Sequence, residues 1–303
     1  MVANSEGVGY PAISPSKLGT LRTWFPPRSE QRAIAEFLDR ETAKIDNLIA
    51  KKERLVELLE EKRAALITHA VTRGLDPDAP LRESGIEWLG QIPKHWELKQ
   101  LGHEARLLTG FPFKSELFSF SDGTKLVRGD NVTSGALRWG DKTRYWSSVT
   151  KEIEVFLLKV DDVLLGMDGS KVGKNYAIVT DSDLPLLLVQ RVARLRAKNG
   201  VRPRYLYHLF SSKLFPTWVD MVKTDPAVPH ISPHDIRSFP VAFPSVHEQD
   251  QIVNFLDHEA TRFEGLRSSI RRAIETLQEY RSALITSTVT GKIDVRDAIK
   301  AAA

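Results

Sequence analysis

Three groups of residues have types and spacings that could carry catalysis, and each lacks something that catalysis requires. Gly169-Ser170-Lys171-Val172-Gly173-Lys174 has the look of a phosphate-binding loop. A Walker A run, however, needs glycine at 168 and Ser or Thr at 175, where this chain has Asp168 and Asn175. Pro77-Asp78 followed by Glu97-Leu98-Lys99 matches an acidic pair with a lysine, the set that would hold a divalent metal beside an attacking water. Patterns this short arise by chance, and a linker acid beside an exposed strand explains the residues equally well. His95, His103, His208, His230, His234 and His247 show no metal-ligand spacing. There is no Gly-rich cofactor fingerprint and no Asn-Pro-Pro-aromatic motif of adenine methyltransferases. The chain is therefore expected to be non-catalytic, with no cofactor and no metal, and any methyl transfer must come from a partner.

Binding chemistry is better supplied. Between Leu81 and Phe243 there are about 23 Lys plus Arg against about 18 Asp plus Glu, so most of the chain's formal net charge of +4 lies in its centre. Such charge attracts phosphates, whereas base sequence must be read by donors and acceptors at base edges. The Gly-, Ser-, Asp- and Asn-rich loops offer Lys114, Ser115, Arg128, Asn131, Arg138 beside Trp139, Ser170, Lys171 and Lys174 as contacts to double-stranded DNA. Arginine forks onto guanine and asparagine onto adenine, which makes Arg128 and Asn131 the expected base readers. The plain alternative for each is a solvated turn side chain. Trp88, Trp96, Phe111 and Phe113 are expected in the core rather than stacked on bases.

The elements that must position these loops announce themselves by repetition. Glu30 to Thr72 recurs without a gap as Glu248 to Thr290. Glu30-Gln31, Phe37-Leu38-Asp39, Arg63 and Ala65-Leu66-Ile67-Thr68 return as Glu248-Gln249, Phe255-Leu256-Asp257, Arg281 and Ala283-Leu284-Ile285-Thr286. With the upstream match of Pro11, Ile13-Ser14-Pro15 and Phe25-Pro26 to Pro229, Ile231-Ser232-Pro233 and Phe243-Pro244, about 25 of roughly 62 positions are identical. Ile34, Leu38, Glu41, Ile45, Leu48, Lys52, Leu55, Leu59, Lys62 and Leu66 step by four and three, as do Ile252 through Leu284 in the second copy. That is a heptad seam. About 40 residues at 1.5 Å of rise predict a helix roughly 60 Å long, which needs another long helix to cover its stripe. The obvious partner is its own repeat, running antiparallel.

The fold class expected is α+β: one globular mixed domain between two long antiparallel coiled-coil helices. Expected boundaries are 1–28 as the tail of a first globular domain, 29–73 as the first helix with Ser29 as its N-cap, and 74–85 as a Pro- and Asp-rich linker. The globular domain follows at 86–243, the second helix at 244–290 and a short tail at 291–303. Within the domain, strands are predicted at Lys125 to Arg128, Val163 to Gly166, Tyr176 to Val179 and Leu186 to Leu195, with a helix from Pro203 to Val222. Because residues 1–28 match the end of the central domain, Met1 is expected to open inside a domain whose body is missing. The chain has no cysteine, which excludes disulfide scaffolds and fits a reducing cytoplasm. The start MVANSEGVGY has no export pattern, and the longest apolar run, Leu184 to Val189, is too short for a membrane.

Taken in order, these segments resemble the specificity subunits of type I restriction-modification systems. The resemblance rests on Gly85-Ile86-Glu87-Trp88-Leu89-Gly90-Gln91-Ile92-Pro93 with Trp96, on Thr109-Gly110, and on Val127-Arg128-Gly129-Asp130-Asn131. It continues through Asp168 to Lys174, Val228-Pro229-His230-Ile231-Ser232, Glu248-Gln249 and Phe255-Leu256-Asp257. The family implies two target-recognition domains, each reading half of an interrupted DNA site. Two long helices separate them as a ruler and dock modification (methyltransferase) subunits and, through them, restriction subunits. By that resemblance Glu30, Gln31, Phe37, Leu38, Glu248, Gln249, Phe255 and Leu256 are the expected docking surface. This chain keeps one complete recognition domain, so two copies, a homodimer, are expected to restore the pair and to read an interrupted palindrome. Two readings from other classes stay open: a coiled-coil protein-interaction scaffold and a metal-dependent nuclease.

Overall fold

The computed structural model describes residues 19–20, 25–224 and 229–295. Most of the expected first-domain remnant therefore lies outside the described residues, as do Val228 and the end of the tail. Two compact units are present: Met1–Val56 with Ser268–Ala303, and Glu57–Arg267. Both long helices contribute to each unit.

The first helix, α1 (Arg28–Arg73), starts one residue earlier than expected. Glu30 N and Gln31 N donate to Pro27 O at 2.9 and 3.0 Å, so the proline carbonyl opens the ladder and Ser29 sits in the first turn, not at the cap. Its end follows the usual chemistry: Gly74, at φ +76°, donates its N–H to Ala70 O and lets the chain turn away. The second helix is α6 (Val246–Val289).

In the first unit, Ile45 and Leu284 are buried seam positions, and Arg281 forks onto Asp46 at 2.8 and 3.2 Å. In the second unit, Ile252, Leu256 and Phe263 are buried, and Arg267 bridges Glu264 and Glu60. There the helices run antiparallel, since Glu60 faces Arg267 while Gly74 lies against Glu248. The stripe is incompletely covered: Leu48, Leu55, Leu266 and Tyr280 stay exposed.

The rest of the second unit is the mixed domain. Its elements are β1 (Leu81–Glu83), β2 (Gln91–Pro93), β3 (Glu97–Gln100), the one-turn α2 (Leu101–Glu104), β4 (Ala105–Thr109), β5 (Thr124–Val127), β6 (Tyr145–Trp146), β7 (Val163–Gly166), β8 (Tyr176–Ile178), β9 (Leu186–Leu188), β10 (Val192–Ala197), α3 (Pro203–Ser211), α4 (Leu214–Val222), α5 (Pro233–Ser238) and β11 (Pro240–Phe243). An antiparallel sheet of order β4-β10-β7-β8 forms one layer, and β6-β5-β9, with β5 and β9 parallel, forms another. The pairs β1-β2 and β11-β3 are separate two-stranded ladders.

Three expectations are corrected. The linker at 74–85 already contains β1, paired to β2 in register Leu81↔Pro93. The single strand expected from Leu186 to Leu195 is two strands, β9 and β10, split by a turn at Val189–Arg191. The single helix from Pro203 to Val222 breaks at Ser212, whose hydroxyl donates to Leu209 O and accepts from Leu214 N. In both segments the break falls on a short polar stretch between apolar runs, Gln190-Arg191 and Ser211-Ser212-Lys213, and neither stretch carries a Gly or Pro to mark it.

The largest core joins Ile67, Ala70 and Val71 of α1, Ile252 and Leu256 of α6, and Trp96, Tyr205, Phe210, Phe215 and Phe239 of the domain. Trp96 and Phe113 are buried as expected, and Trp88 stacks on Phe239 at 6.1 Å. No described helix is long and apolar enough to cross a membrane.

Candidate functional site

The loops at the ends of β4, β5, β7 and β9 converge on one face of the domain. Three adjoining clefts of about 350, 440 and 770 Å³ open there and share Asp130 as a common wall. Ser115 and Arg128 line the first, Asn131 and Arg138 the second, and Arg138, Ser170, Lys171 and Lys174 the third. Lys114 precedes the short 3-10 turn Ser115–Leu117 and is exposed beside the first cleft. The fold thus gathers onto one surface residues that lie 60 positions apart in the chain.

Backbone geometry explains the glycines of these loops. Gly169 and Gly173 sit at φ +87° and +81°, and a Cβ on Gly173 would come within 3.0 Å of Val219. The resulting loop presents Ser170, Lys171 and Lys174 outward. Gly110 is more constrained: a Cβ there would meet the Val189 carbonyl carbon and oxygen at 2.2 Å. Only glycine allows β4 to end against the end of β9.

Asn131, expected as a base reader, sits in this structure as a loop clamp. Its side chain is buried, its Oδ1 accepts from Arg128 N at 3.1 Å, and its Nδ2 donates to Arg138 O at 3.0 Å. Both amide atoms are consumed in fixing the loop that carries Arg128 and Arg138. Arg128 is only partly free: Nη2 donates to Lys142 O at 3.2 Å and lies 3.7 Å from Asp130. Arg138, Lys114, Lys171 and Lys174 are exposed, and the three lysines make no ion pair among the described residues.

The second copy of the repeat anchors packs against the domain, with Gln249 and Leu256 buried and Glu248 and Phe255 half-buried. Trp96 Nε1 donates to Glu248 Oε1 at 3.0 Å, and His95 Nε2 lies 2.9 Å from Oε2. Gln249, 1% exposed, accepts from Arg202 N and donates to Gly200 O and Pro244 O. Leu256 is in the core and Phe255 packs against it. Asp257 accepts from Arg204 and from His208 Nε2. Burial alone would raise the Asp257 pKa, but the hydrogen bonds from His208 and Arg204 outweigh it and hold the carboxyl at about 2. Burial pushes His208 the opposite way from its carboxylate partner and wins, so its pKa is lowered and a neutral ring donates to Asp257.

Glu248, Gln249 and Leu256, expected on the docking surface, tie α6 to the domain here, and the buried Gln249 amide makes its hydrogen bonds within the chain. The first copy differs. The Gln31 side chain is exposed and donates to Pro26 O, while Glu30, Phe37 and Leu38 are half-buried, with Arg40 over the Phe37 ring. The sequence could not show this difference, since the two copies share these residues.

Gln190 and Arg191, at the turn between β9 and β10, also face the first cleft. They escaped the sequence reading because the turn lies inside a run read as one strand. Among the described residues no group of three or more His, Cys, Asp or Glu could hold a metal ion.

Comparison with known proteins agrees with this arrangement. Residues 93–272 match the family described as the type I restriction modification DNA specificity domain. The chain is 29% identical over 240 residues to the type I restriction enzyme EcoAI specificity subunit of Escherichia coli, covering 78% of this chain and 40% of that one. It is 24% identical over 298 residues to the MjaVIII specificity subunit of Methanocaldococcus jannaschii, covering 97% of this chain and 67% of that one. It therefore spans between about two fifths and two thirds of the length of these two relatives. Among solved structures, a chain from work on complex assembly and conformational transition of the type I R-M system superposes with TM-score 0.68 at 18% identity, covering 93% of this chain and 65% of that one. The HsdS subunit from Thermoanaerobacter tengcongensis superposes with TM-score 0.55 at 16% identity, covering 96% of this chain and 66% of that one. With its family match spanning more than half of its residues, two long helices and one mixed domain between them in sequence, this chain belongs to the type I restriction-modification DNA specificity domain family.

Proposed function

We propose that the chain is the DNA sequence-specificity subunit of a type I restriction-modification complex and is not itself an enzyme. Its mixed domain reads one half-site of double-stranded DNA, and its helices dock modification subunits that transfer the methyl group. The observation that carries the DNA reading is the convergence of Lys114, Ser115, Arg128, Arg138, Ser170, Lys171 and Lys174 on one clefted surface. Lys114, Lys171 and Lys174 supply phosphate affinity, because they are exposed points of charge on flexible stems. Arg138 and Ser170 are left to reach base edges, and Asn131 fixes the backbone of Arg138. We take the recognition domain from about Leu81, where β1 begins, to Phe243, where β11 ends.

The functional species carries two copies. The second set of repeat anchors holds a recognition domain in place, whereas its sequence twin, Glu30, Gln31, Phe37 and Leu38, is left half-open. The half-open set suits the recognition domain of a second copy, and an isologous pair would satisfy both sets. The target is then an interrupted palindrome. Titration of DNA binding against salt tests the first claim: log affinity should fall linearly with log salt, by about 0.9 per phosphate contact. Binding indifferent to salt would overturn it. Mass measurement of the complex with its modification partner tests the second, since one copy per complex contradicts the pair.

A further inference from the structure

We infer that Arg191, with Gln190 beside it, is a sequence-reading element of this domain, and that its preferred partner is a guanine edge in the major groove. The inference rests on the DNA-binding reading above and names which residues carry its specificity.

The turn Val189–Val192 is held by a set of backbone hydrogen bonds. Val189 N donates to Val127 O, Gln190 N to Phe111 O, Val192 N to Val189 O, and Met167 N to Arg191 O. Gly110 N and Phe111 N donate to Val192 O and Leu188 O on the same two strands. The absent Cβ of Gly110 allows this packing, since any side chain would overlap the Val189 carbonyl. The result is a braced turn with most of its backbone groups hydrogen-bonded and with two polar side chains, Gln190 and Arg191, exposed to the first cleft.

Arg191 has φ +68°, the left-handed region that glycine adopts without cost and that a long side chain rarely occupies. It stands third in a four-residue turn, where glycine or asparagine is the usual residue when φ is positive. Strain kept in a well-braced turn points to a side chain retained for use. Asp168 then orients that side chain: its Oδ2 accepts from Nη1 at 3.1 Å, while the arginine side chain remains 60% exposed. One edge of the guanidinium is pinned and the rest of its donor fork faces the cleft. A fork fixed in direction matches the O6 and N7 acceptors of guanine, and a neighbouring glutamine amide matches adenine N6 and N7. A lysine on a flexible stem, such as Lys171, offers charge without direction.

The test uses the full chain, a duplex library with a randomised core, and sequencing of the bound fraction. Arg191→Gly removes the fork and suits the backbone better, so its Tm should equal or exceed that of the parent chain. Preference for guanine at one position of the enriched motif should fall about 10-fold or more, with the other positions kept. Arg191→Lys keeps the charge and should lose the same position while retaining the salt slope. Asp168→Asn should blur that position without abolishing binding. If Arg191→Gly weakens all sequences equally and lowers the salt slope by about 1, the residue is a phosphate contact and the inference fails. The inference also fails if the variant enriches the parent motif with undiminished contrast. If the parent chain enriches no motif, the DNA reading itself falls, and this inference with it. Should Arg191→Gly prove unstable, the Lys variant decides alone.

Discussion

Trp96 Nε1 donates to Glu248 Oε1 at 3.0 Å, joining two residues 152 positions apart. Trp96 is 1% exposed and immediately precedes β3 of the recognition domain; Glu248 lies in the first turn of the second long helix. A buried indole N–H without a partner costs about 1–3 kcal/mol. Glu248→Ala should therefore lower Tm by several degrees, at about 2–4 °C per kcal/mol for a unit of this size. Glu248→Gln, which keeps an acceptor for Trp96, should lose less. Equal Tm losses in the two variants, measured by calorimetry, would show that the hydrogen bond is not what matters there.

Asp257 makes stability depend on pH. Its folded pKa of about 2 lies below its ordinary value of 3.8, so its contribution is present above pH 3.8 and is lost as pH falls towards 2. His208, whose pKa is lowered from 6.5, acts in the same direction: the unfolded chain takes up a proton below that value before the folded chain does. Denaturation midpoints should thus fall progressively below about pH 6.5 and more steeply below about pH 4. In Asp257→Ala the part of this loss below pH 4 should flatten; an unchanged profile would contradict the pairing.

Gly110 and Gly140 should respond in opposite ways to alanine. A Cβ at Gly110 meets backbone at 2.2 Å, whereas one at Gly140 meets nothing within 4 Å. Gly110→Ala should cost about 1–3 kcal/mol, the usual penalty of overpacking, and should displace the Val189–Arg191 turn. Gly140→Ala should be neutral or stabilise by about 0.4–1 kcal/mol through the unfolded chain. Thermal melts of the two variants check both statements.

Much of this was readable beforehand, for reasons that differ by element. The long helices show because a heptad stripe is a repeated local signal, and repetition across two copies removes chance. Val163 to Gly166, buried throughout, was found at its observed bounds. The Val189–Arg191 turn was not, because its positive φ is carried by arginine instead of glycine, and no composition rule flags it. Asn131 has the right chemistry for adenine, yet its partners, Arg128 N and Arg138 O, are set by tertiary placement. The anchors mislead for a related cause. Gln249 is buried and Gln31 exposed with the same local sequence, and only the surrounding domain distinguishes them.

Phe263 fills the helix seam of the second unit beside Leu59 and Arg63. Phe263→Ala should cost about 3 kcal/mol, as for other large-to-small changes in packed interiors, and reduce Tm by on the order of 10 °C. Retained stability, followed by circular dichroism during heating, would mean that the seam contributes little to the fold.

The central claim is that this chain chooses the site while another subunit performs the methylation. Its most direct test is methylome sequencing of cells that carry the modification subunit with this chain, with its Arg191→Gly variant, or with no such chain. The account predicts one methylated interrupted motif with the chain, a motif relaxed at one position in each half with the variant, and none without it. The same motif methylated by the modification subunit alone would contradict it.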